Sequence, residues 1–433
     1  MINKADKQRL FTNYGLFLLI SAQIFYIIGS LLANFIIILI VISYIILDKN
    51  NLKNLFLERK LLIISLIFFI FLNIVNSHYQ YYSSIKILEY SRFFLFPVAI
   101  IFFLNLIKDK IKIYVNFLIF LILFLIFDSF IQFYFGRDIF GFEYNNLYKR
   151  ISGPFGDEWI LGTYLLYIGF LTISYLNNVY KIKNSINYFL FVIISITILY
   201  TGERSSYLSI YYLLTFVFIF SSKKKFIFFT SILIILFSFL AINFNENLKK
   251  KYNLLNLPKV DNKVLDQSDE TDNTLNNLSD NFIDSKLLKF FVTFKNSKWA
   301  GHSYRSFQIF KDNIFFGSGF RTYKKHCYNY DDDENKTITK CSTHPHNFHS
   351  EIISDNGLIG YLIFLTLIFI TIISFIKNKL YKSFEISIIF SLILTFIFPI
   401  KTTGSFFTTN SSFIFWILIG HYFYLISSVK NKN

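Results

Sequence analysis

Long apolar runs alternate with short polar joints along most of this chain, and the pattern breaks at one long interval. Twelve apolar stretches can be delimited: 12–29, 31–47, 61–76, 85–107, 113–135, 159–177, 186–201, 205–221, 226–243, 357–376, 384–400 and 412–428. Several lie near the lower limit of ~17–20 residues for a helix that crosses a bilayer. Stretches 12–29 and 31–47 leave almost no joint and must form a tight helical hairpin. Abundant Ile and Phe are no argument for strands here. Lipid offers no partner to backbone polar groups, so only helices or closed barrels span it, and these runs lack barrel alternation. The expected fold class is an all-α polytopic membrane protein with about twelve transmembrane helices, a single domain over 1–433.

Composition agrees: 54% of the 433 residues are hydrophobic and mean hydropathy is +0.48, which makes the bilayer the solvent for most of the chain. A formal charge of +16 raises the question of nucleic acid. Its distribution answers otherwise. Walking the stretches from a cytoplasmic N-terminus, Lys4, Lys7 and Arg9 fall inside, as do Lys49, Lys53, Arg59 and Lys60. So do Lys108, Lys110 and Lys112, then Lys181 and Lys183, Lys223 to Lys225, Lys377, Lys379 and Lys382, and finally Lys430 and Lys432. Short joints on the other side are nearly bare of Lys and Arg, the positive-inside pattern, with both termini cytoplasmic. The charge is topology, and no nucleic-acid partner is expected. The basic start before 12–29 resembles a signal peptide, but no small-residue cleavage site follows, so it reads as an uncleaved helix.

This orientation puts the long interval 244–349 outside the cytoplasm, as a periplasmic loop between the ninth and tenth helices. Within it, 261–284 is rich in Asn and Asp and reads as a connector. Lys286 to Trp299 alternates Leu, Phe and Lys in the manner of an interfacial helix. A further helix is expected over Tyr304 to Asn313, broken by Gly317-Ser-Gly319. No internal repeat is visible. Cys327 and Cys341 both fall in the loop, where an oxidising compartment favours a disulfide over two unrelated thiols. The acidic run Asp331 to Glu334 between them reads as a solvated turn, with a cation site as the alternative.

Three positions outside the bilayer could carry chemistry: Arg204 in Thr201-Gly-Glu-Arg-Ser-Ser, Arg305 in Gly301-His-Ser-Tyr304-Arg-Ser, and His346 in Thr343-His-Pro-His-Asn347. Each has a bland counterpart: a capping turn, a solvated surface arginine, an inert loop histidine. His344, His346 and His349 invite a zinc reading, but Pro345 and the loop spacing differ from the helical His-x-x-x-His of zinc hydrolases. Arg150 opens a second outer loop running to Glu158, in which Asp157 and Glu158 could cap the next helix or face a ligand. Glu89 and Arg92, one turn apart, read as an ion pair or a substrate contact. Asp128 and His421 lie isolated within apolar stretches and read as packing contacts, and Lys401 is a candidate anion contact.

These pieces occur in a known order. His346-Asn347, nine residues, Gly357, two residues and Gly360 match the signature of the O-antigen ligase/polymerase superfamily, which the chain resembles. Arg204 in a short outer turn and Arg305 on a helix of the large loop stand where members carry essential arginines. The stretch Phe315-Phe-Gly-Ser-Gly-Phe320 is similar to the glycine-rich turn that follows the second arginine. The resemblance implies an inner-membrane glycosyltransferase, metal-independent and without a cofactor, inverting at the transferred sugar. Its donor would be a glycan on undecaprenyl pyrophosphate. Its acceptor would be lipid A-core for a ligase or a lipid-linked repeat for a polymerase, in surface lipopolysaccharide synthesis. Membrane lipids and a chain-length regulator are further implied partners. On this reading His346, Arg305 and Arg204 are catalytic, and Asn347, Arg150, Tyr304 and Lys401 contact substrate. The Arg150 loop and the cysteine pair lean toward polymerase. A lipid-glycan transporter or flippase is the alternative, although it would place charged or broken helices at mid-membrane in two related halves.

Overall fold

A computed structural model of the chain describes residues 4–58, 60–252, 298–329 and 341–430. The connector 261–284, most of the Lys286–Trp299 segment and the Asp331–Glu334 run lie outside the described residues. The helices are α1 Lys4–Ile28, α2 Ser30–Leu47, α3 Lys49–Glu58, α4 Lys60–Asn76, α5 Gln80–Tyr90, α6 Arg92–Leu106 and α7 Ile111–Phe135. There follow α8 Leu161–Tyr164, α9 Phe170–Tyr180, α10 Asn184–Tyr200, α11 Arg204–Phe220, α12 Lys224–Phe244 and α13 Glu246–Tyr252. The last five are α14 Lys298–Asp312, α15 Tyr323–Asn329, α16 Phe348–Lys377, α17 Phe384–Phe396 and α18 Thr409–Lys430.

The chain is an all-helical polytopic membrane protein. Among the described residues, seven helices or helix pairs are long and apolar enough to cross a membrane, and shorter apolar helices cover Ile63–Asn76, Asn184–Tyr200, Arg204–Phe220 and Phe384–Phe396. Each of the sequence-predicted stretches coincides with one of these or with the α8–α9 rod, which contains a π-helical turn over Leu165–Gly169.

Lipid is as apolar as Leu, so burying side chains between helices is driven less by water than by close packing and internal polar links. Both are present. α18 packs along α6, where a Cβ on Gly420 would come within 2.7 Å of the Ile100 side chain. Tyr26 stacks on Phe413 at 4.5 Å, and Phe375 on Phe390 at 4.0 Å. His421 meets Tyr175 Oη at 2.6 Å and Tyr114 Oη at 3.4 Å, and Asp128 Oδ1 accepts from Ile139 N–H at 2.9 Å. Both in-span polar residues thus hydrogen-bond to neighbouring elements of the bundle.

Two expectations need correction. Glu89 pairs with Lys86 at 2.7 Å instead of with Arg92, whose Nη2 donates to Thr409 Oγ1 at 3.3 Å across the bundle. Lys86, one turn before Glu89, takes the carboxylate that the sequence offered to Arg92. The helix of the large loop already covers the six described residues before Tyr304, Lys298 onward.

Candidate active site

The site is organised by the first turns of α16. Asn347 caps it: the side-chain oxygen accepts from His349 N–H at 3.0 Å and Ser350 N–H at 3.2 Å. The same amide donates to the carbonyls of Pro399 at 2.7 Å and Lys401 at 3.3 Å. One residue thus satisfies orphan N–H groups of the helix and ties it to the α17–α18 loop. Four residues on, buried Glu351 holds that loop again, accepting from Ser405 Oγ and from Phe406 N–H at 2.7 Å.

A further turn along, the helix is interrupted. Gly357 has φ 65° and ψ −169°, and the Phe315–Gly319 turn fills the break. Leu358 N–H donates to the Ile314 carbonyl at 2.7 Å and Ile359 N–H to Phe315 at 3.1 Å, while Ser318 and Gly319 N–H donate to Ser354 and Asp355 at 3.0 Å each. A Cβ on Gly357 would lie 2.4 Å from Gly317 N, and one on Gly317 would lie 2.4 Å from Asp355 O. The crossing admits glycine alone. Gly360 serves a different approach, since its Cβ would come within 2.9 Å of Phe69 on α4. Asn73 of α4 closes the junction, donating to Phe316 O at 2.7 Å and Asp355 O at 3.0 Å. The apolar stretch starting at Gly357 therefore belongs to a helix starting nine residues earlier, whose opening turns are polar because they hold loops.

His346 stands just before the cap in a left-handed conformation, φ 56°. Its carbonyl accepts from Thr403 N–H at 2.8 Å, and its ring lies between those of His344 at 4.1 Å and His302 at 5.3 Å. A non-glycine residue held at positive φ is strained, and such positions concentrate where function needs them. His302 and Arg305 sit one turn apart on the buried face of α14, each 5% exposed. α14 thus presents Arg305 beside the imidazole that touches His346, with Nη1 donating to Gln308 Oε1 at 3.0 Å. Tyr304, the neighbouring residue, is 58% exposed. His344 is pulled well below the usual imidazole range, to about 4, by burial, with His302 and Arg321 also disfavouring its charge. His349 is turned elsewhere, with its ring nitrogens on Tyr361 Oη at 2.9 Å and the Ile397 carbonyl at 2.7 Å. Cys327 and Cys341 are joined by a disulfide, Cα atoms 5.7 Å apart, which brings the end of α15 to the start of the histidine loop.

Arg204 opens α11 on the other side of the α17–α18 loop. Its neighbour Ser205 donates to the Thr402 carbonyl at 2.5 Å, next to the Thr403 that holds His346. The preceding Glu203 caps α8, accepting from Gly162 N–H at 2.6 Å and Thr163 N–H at 3.1 Å. Burial raises its carboxyl pKa, opposed by those hydrogen bonds and by the charge of Arg150. Arg150 arrives because Ile151 N–H donates to Thr201 O at 3.2 Å, and its guanidinium lies over Trp159 at 5.3 Å. Arg204 Nη2 donates to the Lys251 carbonyl. Burial and then the charges of Arg150 and Arg204 bring the Lys251 ammonium down to about 8. Three cations therefore crowd one exposed edge. Lys401 is drawn inward instead, donating to Tyr167 Oη at 2.9 Å and Thr395 O at 2.7 Å, and burial lowers it to about 7. Glu158 does not cap the next helix; it accepts from Asn410.

Residues 189–365 match the family model described as O-Antigen ligase, a span that takes in Arg204, Arg305, His346, Gly357 and Gly360. Over that span the chain is similar to the O-antigen ligase family. No curated protein and no solved structure matches it. The match supports a membrane protein of the ligase/polymerase kind.

Sequence reasoning missed His302, Lys251, Arg321, Glu351 and Asp355. His302 was findable, since it shares a helix face with Arg305 at i, i+3. Glu351 and Asp355, spaced i, i+4 at the head of an apolar helix, were a second legible signal. Nothing local marks Lys251 or Arg321, which gain meaning only from what the fold sets beside them.

Proposed function

We propose that this O-antigen ligase homologue transfers a glycan from undecaprenyl pyrophosphate to an acceptor hydroxyl on the periplasmic face of the inner membrane, with both termini in the cytoplasm. The acceptor oxygen attacks the anomeric carbon, its proton passes to His346, and the bond to the pyrophosphate oxygen breaks with inversion. Arg204 and Arg305 receive the departing charge, since guanidinium groups stay protonated and bind phosphate oxygens in pairs. Arg150 and Lys251 add to the Arg204 side. Asn347 fixes the histidine loop. The observation that carries this reading is the α17–α18 loop: it binds Asn347, His346 and Ser205 through consecutive carbonyls and amides, joining the histidine to the arginine edge.

Gel profiling of surface glycan in a deletion strain tests it. Core carrying a single repeat marks a polymerase, the form favoured by the Arg150 loop and the Cys327–Cys341 pair. Free core with long polymer on the carrier marks a ligase. Complementation with His346→Ala leaves the deletion profile unrestored; a restored profile removes His346 from the chemistry.

A further inference from the structure

His346 lies in no helix and its backbone is left-handed, so regular geometry does not decide where its ring points. The ring must be aimed by what it meets. Two imidazoles flank it at different separations: His344 of the same loop at 4.1 Å and His302 of α14 at 5.3 Å, centre to centre. Two imidazoles joined by one straight N–H···N bond have centres about 5 Å apart, because their nitrogens then stand about 3 Å from each other. The His302 separation is of that size. His344 is too close for such a bond, with its ring inclined at 49°, its Nδ1 paired with Thr343 Oγ1 at 2.9 Å and its buried Nε2 without a partner.

A general base is commonly oriented by a third group, often a carboxylate, on its second nitrogen. Here the buried carboxylates of α16 are committed to amides, Glu351 to Phe406 N–H at 2.7 Å and Asp355 to Tyr323 N–H at 2.9 Å. The frame behind His302 is rigid. Its carbonyl accepts from Ser306 Oγ at 3.1 Å and, across to α15, from Tyr323 Oη at 3.4 Å. Ile309, Tyr323 and Cys327 close a small core between those helices, with Cys341 packed against it. His302 therefore refers the His346 ring to the helix that carries Arg305. His344 moves with the loop and cannot supply that reference.

We propose that His302 is the positioning residue of His346, through one N–H···N bond between the rings that selects a single tautomer of His346. Which imidazole nitrogen carries the proton is set by the bond the other makes, so this pairing leaves the second His346 nitrogen free to face the acceptor hydroxyl. The pairing of the rings stands without any reaction; its use in transfer rests on the glycan-transfer reading above.

Solid-state NMR of the full chain, with nitrogen-labelled histidines, in vesicles of phosphatidylethanolamine and phosphatidylglycerol reads the ring directly. Signals lost in His302→Phe and in His346→Phe assign the two imidazoles. At alkaline pH, where imidazoles are neutral, His346 should show one tautomer and a nitrogen-to-nitrogen correlation with His302. His302→Phe keeps a ring without nitrogen. It should leave His346 a mixture of tautomers and slow glycan transfer in deletion-strain membranes roughly 10²-fold. His302→Gln, whose amide can still bond, should restore part of both. A tautomer mixture in the unaltered chain, or a single tautomer that persists in His302→Phe, overturns the pairing. So does a missing correlation, which requires no variant to fold. If His346→Ala abolishes transfer and His302→Phe leaves it untouched, the positioning role fails and the reaction reading stands. If His346→Ala keeps transfer while the correlation persists, the reaction reading fails and the pairing of the rings stands.

Discussion

The two halves of the candidate site are built in opposite ways. Around Gly357 the chain is fixed backbone to backbone: four amide-to-carbonyl bonds join the Phe315–Gly319 turn and its flank to α16, and the approach leaves no room for a Cβ. Around Arg204 the contacts run from long side chains to carbonyls, Arg204 to Lys251 and Lys251 to Tyr148, on an exposed edge where cations outnumber their one buried carboxylate, Glu203. The first construction tolerates no displacement and suits a group that must meet a reacting atom. The second keeps charge available and adjustable, which suits a large anionic leaving group. Positioning and charge recognition are thus separated in space and joined through the α17–α18 loop.

The sharpest way to break this contrast is Gly357→Val. The new side chain overlaps Gly317 N and Phe315 O at a backbone conformation only glycine adopts freely, so a loss of ~4 kcal/mol or more is expected. Size-exclusion of the detergent-solubilised protein should show little folded material. Gly404→Ala in the α17–α18 loop is the control, since its Cβ meets only Ser411 Oγ at 3.6 Å. Equal folded yields would mean the crossing is not rigid. Arg204→Ala should do the reverse: folded yield unchanged, glycan transfer reduced ~10²–10³-fold, as when a preorganised charge donor is removed. A matching loss of thermal stability would instead make Arg204 a structural tie to Lys251. Cys327→Ser with Cys341→Ser should cost ~3 kcal/mol in the loop it closes, read as faster proteolysis between α15 and the histidine loop, with the Arg204 edge unaffected.

What was legible in the sequence follows the same division. Hydrophobic runs are dictated by the bilayer, so the helices could be placed without a structure. Gly357, Gly360 and Asn347 were legible because backbone geometry demands particular residues at particular spacings, and a fixed spacing is what a motif is. Charge recognition has no such register. Arg150, Arg204 and Lys251 are separated by roughly fifty residues at each step and meet because Ile151 pairs with Thr201 and Arg204 reaches the Lys251 carbonyl. Tyr304 shows that adjacency in sequence does not fix a shared environment, since it is exposed where Arg305 is buried. The Glu89–Arg92 pair failed because Glu89 has a cation one turn away on either side, and Lys86 takes it while Arg92 reaches Thr409.

The smallest effect probes how dry the rigid half is. His344 protonates near 4 in the folded chain against 6.5 ordinarily, because burial, His302 and Arg321 all disfavour its charge. Between those values the unfolded chain binds the proton and the folded chain does not. Stability from this group is therefore complete above pH 6.5 and is lost progressively as pH falls toward 4. Thermal midpoints of the unaltered chain should decline across that window, and His344→Gln, which cannot take up the proton when unfolded, should decline less. Lys251 makes the contrast: its lowered value, near 8, acts on the alkaline side, where the unfolded chain binds the extra proton between about 8 and 10.5. Lys251→Gln should leave the acid limb unchanged and flatten the rise in stability above pH 8. If His344→Gln altered the alkaline limb, or Lys251→Gln the acid one, the two halves would share one electrostatic environment, and the separation of positioning from charge recognition would fail.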